Sequence, residues 1–290
     1  MKHEEVDLVE KLLDGAEVEW KALGDIGNFI RGSGIQKSDF TESGVGCIHY
    51  GQIHTHYGTW AVETKSFINP EFAARLRKAY AGDLVIATTS EDDAAVAKAV
   101  AWLGDKEVAV STDAYIYRHT INSKYMSYFF QTDIFQLQKK PYITGAKVRR
   151  ISGDNLAKIK IPIPCPENPE KSLAIQAEIV RILDTFTALT AELTAELTAE
   201  LTARQKQYTY YRDQLLTFAE GEVDHVPMGQ EGIGEFIRGG GLQKKDFTET
   251  GVGCIHYGQI YTHYGTYADK TKTYVSKEFA KKARKAKQAI

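Results

Sequence analysis

Cysteine is scarce in this 290-residue chain, which has only Cys47, Cys165 and Cys254. Three thiols far apart make no disulfide framework and suit a reducing compartment, so a cytoplasmic protein is expected. Apolar residues never run long enough to span a bilayer, and Met1-Lys-His-Glu-Glu5 is no signal peptide, so no membrane partner is expected. Charge of one sign is lacking as well: 36 Lys and Arg stand against 38 Asp and Glu, a formal net charge of −2. Global charge therefore does not announce nucleic-acid binding. Proline is sparse, seven in all, yet four of them crowd into Pro162, Pro164, Pro166 and Pro169. A composition 43% hydrophobic and 26% charged fits a soluble protein of about two domains.

What is present is organised by one helical run, from about Pro169 to Phe218. Asn168 can accept from the first free amides, and Pro169 suits the first helical position because its missing N–H would be unpaired anyway. Ile175, Ile179, Ile182, Phe186, Leu189 and Leu193 recur at alternating steps of four and three, a coiled-coil seam. A tandem block follows: Thr190-Ala-Glu-Leu193, Thr194-Ala-Glu-Leu197, Thr198-Ala-Glu-Leu201. Such a rod is about 70 Å long and needs a partner to bury its stripe. It reads as a spacer arm.

Before it, the chain reads as α+β. Residues 1–15 contain a short helix, Val6 to Leu13. Residues 16–165 form the first globular domain, entered by a strand at Val18–Leu23. Alternating glycine-rich text from Ile26 to Tyr57 predicts short strands with tight turns. Pro70–Tyr80 reads as helix, and Leu84–Thr88, Val108–Val110 and Ala114–Tyr117 as strands. Asn122–Lys139 reads as one or two helices, and Val148–Ile151 and Ile159–Pro162 as closing strands. The proline-stiffened connector leads into the spacer, residues 166–220. Residues 221–290 are an incomplete second domain.

That last assignment rests on a repeat. At a constant offset of 207, residues 26–83 match 233–290 at roughly two-thirds identity. Gly44-Val-Gly-Cys-Ile-His-Tyr-Gly-Gln-Ile53 returns unchanged as Gly251-Val-Gly-Cys-Ile-His-Tyr-Gly-Gln-Ile260. No counterpart of Leu84–Asn168 follows the second copy. A half-module has lost strand partners, so it is expected to be poorly ordered alone or completed by another chain.

Charge is locally uneven. Residues 139–160 hold Lys139, Lys140, Lys147, Arg149, Arg150, Lys158 and Lys160 against the single acid Asp154. That is the form a DNA footprint takes. The repeated turn His49–Tyr57 carries imidazole, amide and hydroxyl groups able to reach base edges or phosphates; its bland alternative is a polar hairpin tip. Thr88-Thr89-Ser90 and Thr144-Gly145-Ala146-Lys147 read as two more phosphate-gripping loops. Rival chemistries are weak. Cys47, His49, His54 and His56 do not complete a tetrahedral zinc set, and His54 becomes Tyr261 in the repeat. Glu63-Thr64-Lys65 resembles a nuclease Glu-x-Lys, but the repeat has Lys270-Thr271-Lys272. Arg31-Gly32-Ser33-Gly34 is too short for a phosphate fingerprint. No nucleophile–base pair stands out, so no catalytic residue and no metal site is expected.

Three stretches carry a resemblance. They are Thr144-Gly-Ala-Lys-Val-Arg-Arg-Ile-Ser-Gly-Asp-Asn-Leu-Ala-Lys-Ile-Lys-Ile-Pro-Ile-Pro164, Ile175-Gln-Ala-Glu-Ile-Val-Arg-Ile-Leu-Asp184, and the Thr-Ala-Glu-Leu block running into Arg204-Gln-Lys-Gln-Tyr-Thr-Tyr-Tyr-Arg-Asp-Gln-Leu-Leu216. In combination the chain resembles the DNA-specificity subunit of type I restriction–modification enzymes, truncated within its second target-recognition domain. The resemblance implies two such domains held apart by helices, each reading half of a split double-stranded DNA target. It implies docking of methyltransferase subunits, which hold the S-adenosylmethionine, and through them of motor and nuclease subunits. This chain itself would need no cofactor. A complete subunit also has a second long helix; with none here, two copies are expected to pair through residues 169–218 as a homodimer and read an interrupted palindrome.

The expected DNA contacts are Arg31, Lys37, Gln52, His54, His56, Thr89, Lys147 and Arg149. The expected docking residues are Gln176, Arg181, Tyr208, Tyr211 and Arg212. Each added four-residue repeat lengthens the rod by about 6 Å, near two base-pair steps, so repeat number is expected to set the gap between half-sites. A coiled-coil scaffold without DNA readout and a decayed fragment are the rival readings.

Overall fold

The computed structural model describes residues 10–13 and 15–283. Residues 10–13 are helical, and the rest of the helix expected at Val6–Leu13 lies outside the described residues. The chain divides into two units, residues 1–203 and 204–290. The fold is α+β, as the sequence pattern predicts.

In the first unit, β1 (Val18–Ala22) pairs antiparallel with the last strand, β14 (Lys160–Pro164), and so ties entry to exit. Two five-stranded sheets lie between them. The first has the order β2 (Gly27–Arg31), β12 (Ala114–His119), β8 (Leu84–Ala87), β10 (Ala99–Trp102), β5 (Trp60–Ala61). The second has the order β3 (Phe40–Thr41), β6 (Ser66–Ile68), β4 (Val45–Ile48), β11 (Val108–Val110), β7 (Lys78–Ala79). The wholly apolar β8 and β10 show why the first sheet is central. Successive side chains of a strand face opposite sides, so an unbroken apolar run needs cover on both. Leu84 and Ile86 pack with Met126, Phe129 and Phe135 of helices Ser123–Phe129 and Asp133–Lys139. Val85 and Ala87 pack with Ile48, Val108 and Val110 of the second sheet. A third core, with Ile35, Cys47, Ile68 and Ala109, fills that sheet's outer face.

Three expectations need correction. The helix at Pro70 ends at Ala73, because Lys78–Ala79 is claimed as the edge strand beside β11. The strand Ala99–Trp102 and the helix Gly153–Leu156 were not foreseen. Lys139 does not belong to the basic patch: it is buried, and its ammonium donates to the carbonyls of Ala94 (2.8 Å) and Val96 (2.6 Å). Burial pushes it down to about 8, against the pull of Asp92 and Asp93.

The long helix runs Pro169–Leu216, with Asn168 Oδ1 accepting from the Lys171 N–H at 3.0 Å. Its first turns pack on the first unit through Ser172, Ile175 and Val180. Gln176 has no exposed surface; it accepts from the Asn122 N–H (2.9 Å) and donates to Ser172 Oγ (3.0 Å). Asp184 takes Lys124 Nζ at 2.7 Å and the Tyr128 hydroxyl at 2.8 Å. The expected seam therefore divides. Ile175 is spent on the chain's own domain, while Phe186, Leu189, Leu193, Leu197 and Leu201 are all more than half exposed. In the repeat, the hydroxyls of Thr190, Thr194, Thr198 and Thr202 each donate to the carbonyl four residues back.

The second unit rebuilds one part of the first. β15 (Phe247–Thr248), β17 (Thr273–Val275) and β16 (Val252–Cys254) lie in the order β15-β17-β16, as β3-β6-β4 do. Gly251 holds φ +143° as Gly44 holds +138°, and a Cβ would meet the carbonyl of Val275 or Ile68. Residues 221–242 contain no helix or strand. Gly234–Arg238, which match β2 by sequence, are among them. β2 exists in the first unit because β12 supplies its ladder.

Two measurements check this packing. Replacing Gln176 with Leu leaves the Asn122 N–H without its acceptor, and a loss of about 1–3 kcal/mol is expected in urea unfolding. His119 tests the interior by pH: burial pushes its imidazole down to about 4. Its folded value lies below the unfolded 6.5, so this contribution is present above pH 6.5 and is lost as pH falls toward 4. The loss is at most about 3 kcal/mol. Urea midpoints at pH 7 and pH 4.5 should diverge less in His119→Leu than in the native chain.

Candidate nucleic-acid interface

The stretch His49–Tyr57 is not the expected hairpin tip. Tyr50–Thr55 is a short helix whose start is closed from both sides: His49 Nδ1 accepts from the Gly51 N–H at 3.2 Å, and Gln52 Oε1 accepts from the His49 N–H at 3.1 Å. This is a capping box with histidine in the serine position. Tertiary contacts fix it further. The Tyr50 N–H donates to Ser111 Oγ (2.8 Å), and Gln52 Nε2 donates to Ser66 Oγ (2.6 Å). Gln52 is therefore buried with both ends of its amide engaged, so it is withdrawn as a base-reading residue. Burial, then the charge of Lys37, pushes the His49 imidazole below its ordinary value.

The helix joins loops that are distant in sequence. At its last turn His54 Nε2 lies 3.0 Å from the Thr89 carbonyl. Thr89–Ser90 (β9) pairs antiparallel with Arg149–Arg150 (β13), Thr89 facing Arg150. Thr144 and Arg150 close a hairpin by reciprocal backbone bonds of 2.9 and 2.8 Å. Gly145 turns that hairpin at φ +90°, where a Cβ would strike the Val148 carbonyl at 2.1 Å. The three loops expected to grip phosphates thus form one surface. His54 is half-buried, its imidazole pushed down mainly by burial. Its Nδ1 and Thr89 Oγ1 are both buried and have no hydrogen-bond partner among the described residues.

The cations divide between exposed and occupied. Lys147 stands exposed on the hairpin loop, and His56 is exposed beyond the helix. Arg149 is half-buried and partnered: its Nε lies 2.7 Å from Asp93 Oδ1, and it donates to the Gly145 carbonyl at 2.6 Å. A partly exposed pair of that kind stabilises by no more than about 1 kcal/mol, so a phosphate can compete with the carboxylate. Arg31 and Lys37 lie toward the other end of the helix. Arg31 Nε donates to the Thr112 carbonyl at 3.2 Å, and Lys37 is exposed. Arg150 is an exposed cation beside Thr89 that the expected set omits. Alternation gives the signal for it: Ile151 is buried, so Arg149 shares its side and Arg150 takes the opposite one. Lys98 adds a further cation, donating to the Tyr57 carbonyl at 3.1 Å. Cys47 carries no exposed thiolate. It is buried, and burial with a smaller push from Asp39 raises it to about 12.

On the long helix, Gln176 is withdrawn as a docking residue because it is enclosed by the chain's own domain. Arg181 is exposed and held by both oxygens of Glu178, at 2.9 and 2.7 Å. Tyr208, Tyr211 and Arg212 are exposed on the helix surface near the exposed Leu215 and Leu216; the Arg212 guanidinium lies 5.9 Å from the centre of the Tyr208 ring. No helix among the described residues is long and apolar enough to cross a membrane.

Comparison with known proteins follows the same outline. A family model described as the type I restriction modification DNA specificity domain matches residues 16–203. The specificity subunit of the type I restriction enzyme EcoR124I/EcoR124II of Escherichia coli is 34% identical over 290 residues, covering 94% of this chain and 62% of that protein. The EcoprrI specificity subunit, also from Escherichia coli, is 36% identical over 226 residues, covering 76% of this chain and 55% of that one. The crystal structure of a type I restriction-modification S subunit from M. genitalium, 12% identical, covers 91% of this chain and 63% of its own, with a TM-score of 0.42. The chain thus spans less than two-thirds of the length of these curated relatives. By the extent of the family match and the identity to these relatives, the chain belongs to the type I restriction modification DNA specificity family.

Proposed function

We propose that this chain reads one half of a split double-stranded DNA target for a type I restriction–modification enzyme, without catalysing a reaction itself. One observation carries the reading. A capped helix, a two-residue strand and a basic hairpin, from three separate parts of the sequence, converge through the contact of His54 with Thr89 and present Lys147, Arg149 and Arg150 together. Cations on such a surface set register on phosphates, while His54 and the buried Thr89 serve by holding the three segments together. Arg31, Lys37 and His56 extend it at the two ends of the helix. Gln52 serves by holding the helix in place.

The exposed helix supplies the assembly side of the proposal. The stripe Phe186–Leu201 is apolar and uncovered by the chain's own domain, which suits an antiparallel second copy. Arg181, Tyr208, Tyr211 and Arg212 are offered to the methyltransferase subunit, which would bring S-adenosylmethionine, and through it to the restriction and motor subunit. Dimerisation places two copies of the same reader on inverted half-sites. Family membership and the specificity-subunit relatives support this reading.

Two experiments test it. Lys147→Ala and Arg150→Ala should each weaken DNA binding across sequences and lower the salt slope of log K by about 1. Fluorescence anisotropy over a salt series, with the methyltransferase partner present, measures this; unchanged slopes in both variants would remove the hairpin from the interface. Light scattering at tens of micromolar should give a dimer for the native chain and a monomer for the Leu189→Glu, Leu197→Glu double variant. A native chain that is only monomeric would end the palindrome reading while leaving DNA contact open to the first test.

A further inference from the structure

The turn that follows β9 places an acid against the candidate surface. Its backbone is fixed from several sides. The Asp92 N–H donates to Ser90 Oγ at 3.2 Å, and the Ala94 N–H donates to Asp92 Oδ1 at 3.0 Å. The Val96 N–H donates to the Asp92 carbonyl at 3.1 Å, and the Ala97 N–H to the Ala87 carbonyl at 2.9 Å. Beneath the turn, the buried ammonium of Lys139 holds the carbonyls of Ala94 and Val96. Asp93 is thus carried on a backbone with little freedom, and its Oδ1 lies 2.7 Å from Arg149 Nε. The ladder brings the pair together, because Arg149 faces Ser90 in the pairing of β13 with β9. The Gly145 carbonyl accepts from the same guanidinium at 2.6 Å. Lys147 and Arg150 are exposed, so among the described residues Arg149 is the hairpin cation that a carboxylate holds.

That pairing sets a condition on any phosphate that would use Arg149. The pair is partly exposed, with 35% and 53% of the two side chains accessible, so it can be exchanged. The exchange leaves the Asp93 carboxylate beside the incoming phosphate, two like charges at close range. Glu91 and Asp92 stand exposed on the same turn and add to that repulsion. A duplex held only by diffuse attraction gains little from the exchange. A duplex whose backbone is fixed by other contacts has its phosphate already in place, so the exchange costs no further ordering. We propose that Asp93 is a specificity-determining residue, which withholds Arg149 from non-matching DNA and yields it once the rest of the surface has docked in register. It is a positioning residue, acting through Arg149 and touching no base itself. This role rests on the DNA reading above and adds discrimination to it.

The salt dependence of binding tests the role, measured by fluorescence anisotropy with the methyltransferase partner present. Two probes are used: a duplex pool of random sequence, and a duplex recovered from that pool by repeated selection on the native complex. For Asp93→Asn the slope of log K on the random pool should steepen by about 1, the equivalent of one added phosphate contact. The slope on the recovered duplex should stay unchanged, since Arg149 is already released there. Glu91→Gln removes the same charge from the same turn and should move the random-pool slope by clearly less. In an Arg149→Gln background, Asp93→Asn should do no more than Glu91→Gln does. An unchanged slope on the random pool would overturn the proposal. Equal steepening from both acids, on both probes, or without Arg149 would overturn it too, leaving general repulsion in its place. Lys147→Ala and Arg150→Ala separate this role from the reading beneath it. If they lower the slope while Asp93→Asn does nothing, the role of Asp93 falls and the DNA reading stands; if they also do nothing, both fall.

Discussion

A parallel ladder of two residue pairs, Cys47 with Ala109 and Ile48 with Val110, is the constraint on which the first unit turns. It brings together segments some sixty residues apart, and closing such a loop is favourable only because large apolar areas are covered at once. Ile48 and Val110 fill the space between the sheets, while Cys47 and Ala109 fill the outer core. Ser111 follows that strand; its amide donates to the Ile48 carbonyl and its hydroxyl accepts from the Tyr50 N–H at the start of the capped helix. The helix in turn delivers His54 to Thr89, and Thr89 delivers the basic hairpin. The candidate surface is thus the outcome of a packing decision made in the core. The second unit repeats the strand and helix but, among the described residues, not the ladder, and Ile255 and Ile260 face solvent.

The cations of this surface show how position overrides composition. Lys139 and Lys147 stand eight residues apart in one basic stretch, yet they do opposite things. Lys139 closes carbonyls inside the first core, where an ammonium without those partners would be costly. Lys147 stands exposed on a hairpin whose glycine admits a left-handed turn. Acidic Glu91, Asp92 and Asp93 adjoin the same surface, and Asp93 already holds Arg149. The field there is of mixed sign, in keeping with a chain of nearly balanced charge. Register on a duplex would then depend on which cations can exchange a carboxylate for a phosphate.

Much of the architecture was legible because its signals are local. Asn168 and Pro169 start the long helix where the capping rules place them, and β8 and β11 read directly as short apolar runs. What escaped prediction is set by partners distant in sequence. Residues 50–55 carry Gly51 and no apolar period, and become helical through His49, Ser66 and Ser111. Ala99–Trp102 reads as an alanine-rich stretch until β8 and β5 flank it. Among the site residues, Lys37, His56 and Lys147 are exposed as their chemistry suggests. Gln52 and Gln176 are polar residues spent inside, and no pattern in one sequence distinguishes a buried amide from an exposed one. Arg150 could have been found by carrying strand alternation one residue past Arg149.

The threonines of the repeat have a consequence for how this protein can vary. Each hydroxyl is satisfied by the carbonyl one turn back on its own helix, so the threonine of a unit requires nothing beyond helix continuity. Units can be gained or lost without leaving a threonine hydroxyl unmet, so in the proposed role the arm would serve as a ruler with integer settings. Rotation comes with length. Four residues exceed one turn of 3.6, so each unit advances the far end of the helix by about 6 Å and turns it by about 40°. Two base pairs of B-DNA turn by about 70°. In the proposed role, a change of one unit would shift length nearly in step with the duplex but leave a twist of about 30° for the contacts to absorb, which would make small changes in repeat number tolerable and large ones self-limiting.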